Sequence, residues 1–178
     1  MVAAPGASLP VATQCEVLDM LASWGIPVAP HHRACATLAE VTAEIAAAWG
    51  LGFQLLPVTN DRLRTMVTTV DEGEISFQEY FVRRHHGVAV TSVRFDGAAS
   101  AFPAPGVLES LEQADRIVIA PSSPVVSIDP VLAVAGVREM LVKRRDDVVA
   151  VSPIIGGRAL KGPADRLMTE LGVPASAT

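Results

Sequence analysis

From Val88 onward the chain alternates short β-branched or apolar runs with amphipathic stretches of helical length, and this alternation constrains the fold more than any other feature. The runs at 88–95, 116–120 and 148–151 read as strands. The stretches at about 105–114, 136–144 and 163–171 read as helices. Strands separated by helices imply βαβ units, right-handed crossovers and a parallel sheet. Ile117-Val118-Ile119 and Val148-Val149-Ala150-Val151 are unbroken apolar runs, the pattern of strands covered on both faces. The expected fold class is α/β, a doubly wound, mostly parallel, Rossmann-like sheet with a helical N-terminal segment.

Upstream the pattern changes. Pro5, Pro10, Pro27 and Pro30 interrupt residues 1–36, where only 14–24 suits a helix, so the segment is set apart from a domain spanning 37–178. Thr37-Leu38-Ala39-Glu40 is a capping box, and Leu38, Val41, Ile45 and Ala48 follow at helical spacing until Gly50 and Gly52. The runs 54–59 and 64–70, separated by Asn60-Asp61 and closed by the turn Asp71-Glu72-Gly73-Glu74, are expected to be strands. Ser76-Phe77-Gln78-Glu79 resembles a second capping box, leaving a short helix and an extended arm both open for the residues after it.

Charge and composition exclude several functions. With 178 residues and 50% hydrophobic content the chain has material for a packed core without metal or disulfide staples. A net charge of -5 argues against binding nucleic acid through its phosphates. No run approaches the ~20 apolar residues that cross a bilayer, and the N-terminus lacks the basic and apolar regions of a secretory signal. Cys15 and Cys35 form neither a CxxC pair nor a disulfide framework and read as free thiols. A cytoplasmic protein without nucleic-acid or membrane partners is expected.

In a parallel sheet, ligands bind beyond the carboxyl ends of the strands. Two such loops stand out. Residues 121–130 place Ser122, Ser123 and Ser127 before a helix, and residues 152–163 carry Gly156, Gly157, Lys161 and Gly162 before Pro163. Hydroxyls, amides at a helix N-terminus and a cation together suit a phosphate. Lys161 is one of two lysines in a chain that otherwise uses arginine, and its compact ammonium acts on phosphate as a point charge. Neither loop is a Walker A or GxGxxG motif.

The remaining candidates have ordinary explanations. His31-His32 and His85-His86 are adjacent, whereas helix-borne metal ligands are usually three or four apart, so solvated surface is the expected setting. Arg83-Arg84 and Lys143-Arg144-Arg145 read as solvated faces, the latter at a helix C-terminus where positive charge suits the dipole. Asn60-Asp61 suits a turn and a carboxylate ligand equally.

At these loops the chain resembles a known family. Leu55-Leu56-Pro57-Val58-Thr59-Asn60-Asp61, Phe77-Gln78-Glu79-Tyr80-Phe81-Val82-Arg83-Arg84, the stretch from Ile119 to Ile128, and Ser152-Pro153-Ile154-Ile155-Gly156-Gly157 through Lys161-Gly162-Pro163-Ala164-Asp165-Arg166 resemble the 2-phospho-L-lactate transferase (CofD) family in order, from about Thr37 to Leu171. The resemblance implies transfer of a phospholactyl or phosphoenolpyruvyl group from a guanosine-diphosphate-linked donor to the deazaflavin Fo. Such transfer releases GMP, uses Mg²⁺ and makes a precursor of coenzyme F-420. Mapped onto this sequence, it implies that Ser122, Ser123, Ser127, Gly156, Gly157, Lys161 and Asn60 bind substrate and Asp61 holds metal. No catalytic residue is assigned, and the assembly state stays open, a homodimer included.

The chain also departs from that pattern. Family members open with a glycine-rich loop and an early aspartate that lie upstream of the matching region, and they continue into another strand beyond Leu171, so truncation at both ends is expected. Ser123 stands where the family usually has Asn, Asp129 where it has Gly, and Ala135 where it has Pro. These departures keep a second function open: a non-catalytic module for a nucleotide or phosphorylated metabolite, or an inactive fragment. Replacing Lys161 with Ala should weaken diphosphate binding by roughly 1.5–3 kcal/mol if the ammonium makes a charge-assisted contact. Calorimetry with GDP checks this, and unchanged affinity would remove Lys161 from the site.

Overall fold

The computed structural model describes residues 36–160 and 162–176. The expectations for the helix at 14–24, both cysteines, His31-His32 and Lys161 lie outside those residues. Helix α1 (Leu38–Ala48) starts as its sequence dictates: Thr37 accepts from the Glu40 amide, and the Glu40 carboxylate accepts from the Thr37 amide at 2.7 Å. The following run at 54–59 is extended loop rather than the expected strand. An isolated bridge between Thr59 and Pro103 and a bond from the Ala104 amide to the Val58 carbonyl (2.9 Å) hold its backbone, and Leu56 and Val58 pack on the core. Pro57 has no amide to donate, which interrupts any ladder through this run.

Strands β1 (Arg64–Thr69), β2 (Gly73–Ser76) and β3 (Val90–Asp96) form a sheet in the order β2-β1-β3, antiparallel throughout. The mostly parallel sheet expected from the sequence is therefore corrected: among the described residues only β4 (Ile117–Ile119) and β5 (Val148–Ala150) pair in parallel. From Ser92 to Asp96 strand β3 alternates polar and apolar residues, Ser92, Val93, Arg94, Phe95, Asp96. Period-two alternation belongs to a sheet with one wet face, which antiparallel pairing permits and parallel pairing seldom does. On that wet side Arg94 grips both oxygens of Glu74 (3.1 and 2.8 Å) and reaches Asp96 at 2.6 Å, holding both carboxyls below their ordinary range.

A π-helical turn, Glu79–Arg83, follows β2, with the Glu79 amide donating to Ser76 Oγ at 3.2 Å. The residues after Ser76 thus take the helical option. Beyond β3 come α2 (Val107–Gln113), β4, a π-helical segment Pro124–Ile128 that continues into α3 (Asp129–Leu132), then α4 (Val137–Lys143) and β5. A two-residue hairpin of β6 (Ile154–Ile155) and β7 (Arg158–Ala159) precedes α5 (Ala164–Glu170). Each expected helix and strand after Val88 is present, shorter by one to several residues.

Two apolar clusters flank the antiparallel sheet. Leu63, Ala101, Ala104, Val107, Val134 and Val137 form one, with α2 and α4 against it. Val67, Tyr80, Val90 and Leu167 form the other, joining β1 and the π-helical turn to α5. Polar side chains finish these contacts. Arg144, expected on a solvated face, instead donates to the Leu111 and Glu112 carbonyls at 2.8 and 2.9 Å and to Asp147 at 2.8 Å, closing the C-terminus of α2. Arg166 on α5 donates to Tyr80 Oη (3.0 Å) and to the His86 carbonyl, and its Nε lies 3.2 Å from Glu170, which itself accepts from the Val90 amide (2.9 Å). Burial pushes the Tyr80 phenol up, so it stays protonated.

Two substitutions test this frame by urea denaturation. Gly97 has φ +90°, and a Cβ there would stand 2.1 Å from the Arg62 carbonyl oxygen; Gly97→Ala should destabilise by about 2 kcal/mol or more. Arg166→Met should cost about 1–3 kcal/mol through the loss of its bonds to Tyr80 and His86. A midpoint unchanged in either variant contradicts the corresponding contact.

Candidate functional site

The two loops singled out in the sequence leave the carboxyl ends of β4 and β5, which are hydrogen-bonded neighbours in register from Ile117↔Val148 to Ile119↔Ala150. They therefore emerge side by side. Val125 of the first loop, Ile154 of the second, and Ala164 and Met168 of α5 form one buried cluster beneath them. The shared sheet edge expected from the sequence is the arrangement found.

The first loop is short because helix begins at Pro124. The residue types explain that start: proline suits the first helical turn, and Ser123 precedes it in extended backbone. The Ser127 and Ile128 amides both donate to the Ser123 carbonyl at 3.1 Å, closing the turn. At a helix start the first amides, here those of Val125 and Val126, have no acceptor within the helix. The Ser123 hydroxyl is buried and has no hydrogen-bond partner among the described residues. Ser122 and Ser127 are half-buried on the same turn. The arrangement offers donors to an anion.

Asp129 ends the π-helical segment and opens α3. Burial pushes its carboxyl up, and Arg138 Nη2 lies 3.7 Å from Oδ1. Arg138 pulls it the other way, and its guanidinium offsets the carboxylate's charge beside the Ser123 turn. Arg138 is nine positions from Asp129 and on another helix, so no local pattern in the sequence pairs them.

In the second loop the glycines have a local cause. Gly156 and Gly157 are the two residues between β6 and β7, with φ +59° and +79°. Positive φ at both central positions is the signature of a type I′ hairpin turn, which glycine adopts without strain. The hairpin tip is exposed, so the pair sits at the rim of the loop cluster.

Asn60 and Asp61 are held by contacts with segments other than the two loops. Asn60 Oδ1 accepts from the Ala39 amide at 2.9 Å, satisfying a free donor at the start of α1. Asp61 Oδ2 accepts from the Phe102 amide at 2.8 Å, and the Asp61 amide donates to Thr59 Oγ1 at 3.0 Å. These contacts fix 59–61 against 101–103. Among the described residues no three of His, Cys, Asp and Glu converge into a metal-binding group.

The other basic and imidazole residues fall largely as expected. His85 is exposed, and Arg83 and Arg84 pair with Glu79 and Glu72 at the surface. His86 differs: its ring lies 5.5 Å from that of Phe81, which in turn stacks on Phe77 at 5.4 Å.

Residues 31–177 match the family model described as 2-phospho-L-lactate transferase CofD. The chain is 44% identical over 144 residues to a phosphoenolpyruvate transferase of Kitasatospora aureofaciens, covering 79% of this chain and 45% of that one. It is 42% identical over 143 residues to the phosphoenolpyruvate transferase of Streptomyces coelicolor, with the same coverage. Against the 2-phospho-L-lactate transferase of Methanococcoides burtonii it is 39% identical over 140 residues, again 79% of this chain and 45% of the relative. The chain thus spans less than half the length of these relatives. Among solved structures, a UPF0052-family protein of Bacillus halodurans superposes with a TM-score of 0.48 at 21% identity, covering 69% of this chain and 35% of that chain. On the match across residues 31–177, the chain belongs to the 2-phospho-L-lactate transferase CofD family.

Proposed function

We propose that this chain carries donor-binding machinery of a transferase that moves a phosphoenolpyruvyl or phospholactyl group from a guanosine-diphosphate-linked donor to the deazaflavin Fo, in coenzyme F-420 biosynthesis, with release of GMP. The observation that carries this reading is the turn at Ser123: a buried hydroxyl without a partner beside two helix-start amides, at the carboxyl end of a parallel strand. A diphosphate would seat there, with Ser122 and Ser127 flanking it and the Gly156-Gly157 hairpin beside it. Lys161 and Asn60 are the remaining donor contacts in this reading, and Asp61 is the carboxylate offered to an Mg²⁺ that would arrive with the diphosphate.

In the transfer, a bond forms from the acceptor hydroxyl oxygen to the phosphorus bearing the organic acid. The phosphoanhydride bond breaks, and GMP leaves with the bridging oxygen. Amides and hydroxyls of this turn would stabilise the charge gathering on that oxygen, which is where much of the catalysis of phosphoryl transfer lies. Arg138, by countering Asp129, keeps this edge from repelling the donor. The relatives with the highest identities above are named phosphoenolpyruvate transferases, which favours the enolpyruvyl donor. A second reading, a non-catalytic nucleotide or phosphometabolite module, draws on the engagement of Asp61 with the Phe102 amide.

Incubation of the protein with Fo, Mg²⁺ and each guanylylated donor should release GMP, faster with the phosphoenolpyruvyl donor. GDP binding without GMP release would favour the second reading, and neither would refute both. Ser123→Ala should weaken GDP binding by about 1 kcal/mol, measured by calorimetry, while leaving the thermal midpoint unchanged or raised because no internal bond is lost.

A further inference from the structure

Tyr80 is the chain's only tyrosine, and it is fully buried. A phenylalanine would fill the same space without a hydroxyl to satisfy, since a phenol that leaves water must find a partner. The partner here is Arg166 of α5, whose Nη2 donates to Tyr80 Oη at 3.0 Å and to the His86 carbonyl. An unusual turn presents that carbonyl. His85 and His86 both have φ +47°, the only positive values among the described residues that are not glycine. Left-handed backbone is costly for a residue with a Cβ and persists only where its surroundings fix it. The His86 amide donates to the Tyr80 carbonyl at 2.9 Å, the Gly87 amide donates to the Arg84 carbonyl at 2.9 Å, and the His86 ring packs on Phe81.

A second polar contact lies one helical turn further along α5. Glu170 accepts from the Val90 amide at the start of β3 (2.9 Å), and Arg166 Nε lies 3.2 Å from its carboxylate. Between the two contacts Leu167 is buried against Tyr80 and Val90. Apolar burial is non-directional and would let a helix roll or slide, whereas a hydrogen bond weakens steeply once misaligned. Two such bonds a turn apart fix both the rotation of α5 and its place along its axis. Satisfied buried networks of this kind rigidify the elements they join.

These bonds hold one wall of the candidate site. The second loop runs directly into α5, and Ala159 of β7 packs against the cluster of Val125, Ile154, Ala164 and Met168. The Leu160 amide donates to the Pro153 carbonyl at 3.1 Å, closing the loop on itself. Val125 of the same cluster is the second residue of the segment that Ser123 caps. The pairing of β4 with β5 sets where the two loops begin, and α5 sets where the second one ends. A roll of α5 would draw Ala164 and Met168 out of the cluster and shift the hairpin against the Ser123 turn.

We propose that Arg166, acting through Tyr80 Oη and the His86 carbonyl, is a positioning residue for the donor. It sets the roll of α5, and with it the spacing between the Ser123 turn and the Gly156-Gly157 hairpin that a diphosphate would span. The inference rests on the donor reading above and gives Arg166 no contact with the reacting atoms.

The test uses the whole chain with GDP as the probe, at a temperature where circular dichroism shows each variant folded. Tyr80→Phe removes one hydroxyl and keeps the buried ring, so it should weaken GDP binding about 3–10-fold by calorimetry. Arg166→Met should weaken it about 10-fold or more, and Arg166→Lys, which keeps a donor for one acceptor, should fall between that variant and the unmodified chain. Tyr80→Phe combined with Arg166→Met should bind as Arg166→Met alone does, because both remove one contact. In Tyr80→Phe, hydrogen exchange at the Leu160 amide should quicken more than exchange at the β1 amides.

A purely structural role would lower the thermal midpoint and leave the affinity of the folded protein in place. GDP affinities within about twofold of the unmodified chain for Tyr80→Phe and Arg166→Lys would therefore overturn the positioning role while leaving the donor reading intact. Exchange that quickens equally at Leu160 and in β1 would do the same, since it reports global unfolding alone. An unmodified chain that binds no GDP would overturn the donor reading and this inference together. Should Arg166→Met fail to fold, Tyr80→Phe and Arg166→Lys decide by the same criteria.

Discussion

The parallel pairing of β4 with β5 is the contact on which the candidate site depends. It covers only three residue pairs, yet parallel pairing forces the chain to cross over before it can return. The π-helical segment, α3 and α4 make that crossover. Its consequence is that the residues after Ile119 and those after Ala150 leave the sheet in the same direction, and the cluster of Val125, Ile154, Ala164 and Met168 then locks them together. An antiparallel pairing of the same strands would have sent the Ser123 turn and the glycine hairpin to opposite ends.

The antiparallel sheet and the π-helical turn after β2 act as a buttress for this arrangement. Helix α5 sits between them: Leu167 is buried with Tyr80 and Val90 on one side, while Ala164 and Met168 belong to the loop cluster on the other. Arg166 joins the same helix to Tyr80 and His86, and Glu170 joins it to the start of β3. The helix that follows the second loop is thereby fixed to a different sheet from the one the loop leaves, which makes the site a junction rather than the edge of a single layer.

Much of this was legible in sequence. The capping box at Thr37 and Glu40 stated where α1 begins, because two side chains and two free amides satisfy each other locally. The alternation after Val88 located three strands and three helices. Other features depended on partners far along the chain. Asn60 and Asp61 suited either a turn or a ligand until Ala39 and Phe102 were seen to donate to them. Arg144 ended a helix like any surface cation until the carbonyls of α2 were found beneath it. Gly156 and Gly157 stood out in sequence as part of a loop suited to a phosphate, and the structure adds a local reason for them, two positive φ angles in a two-residue turn. Strand β3 carried a period-two pattern that already argued for antiparallel pairing.

The sequence by itself determined the capped helix at Thr37, the strands and helices that alternate after Val88 and the family they belong to, since backbone propensity, caps and ordered motifs are local properties of the chain. Tertiary structure decided the direction of strand pairing, the junction that brings the Ser123 turn to the glycine hairpin, and the exposure of Val118 and Val149 on strands expected to be covered on both faces. Those outcomes depend on contacts between residues tens of positions apart. Hydrophobic runs such as 117–119 and 148–151 state that a strand seeks burial, but its cover is set only by what the rest of the polypeptide brings against it.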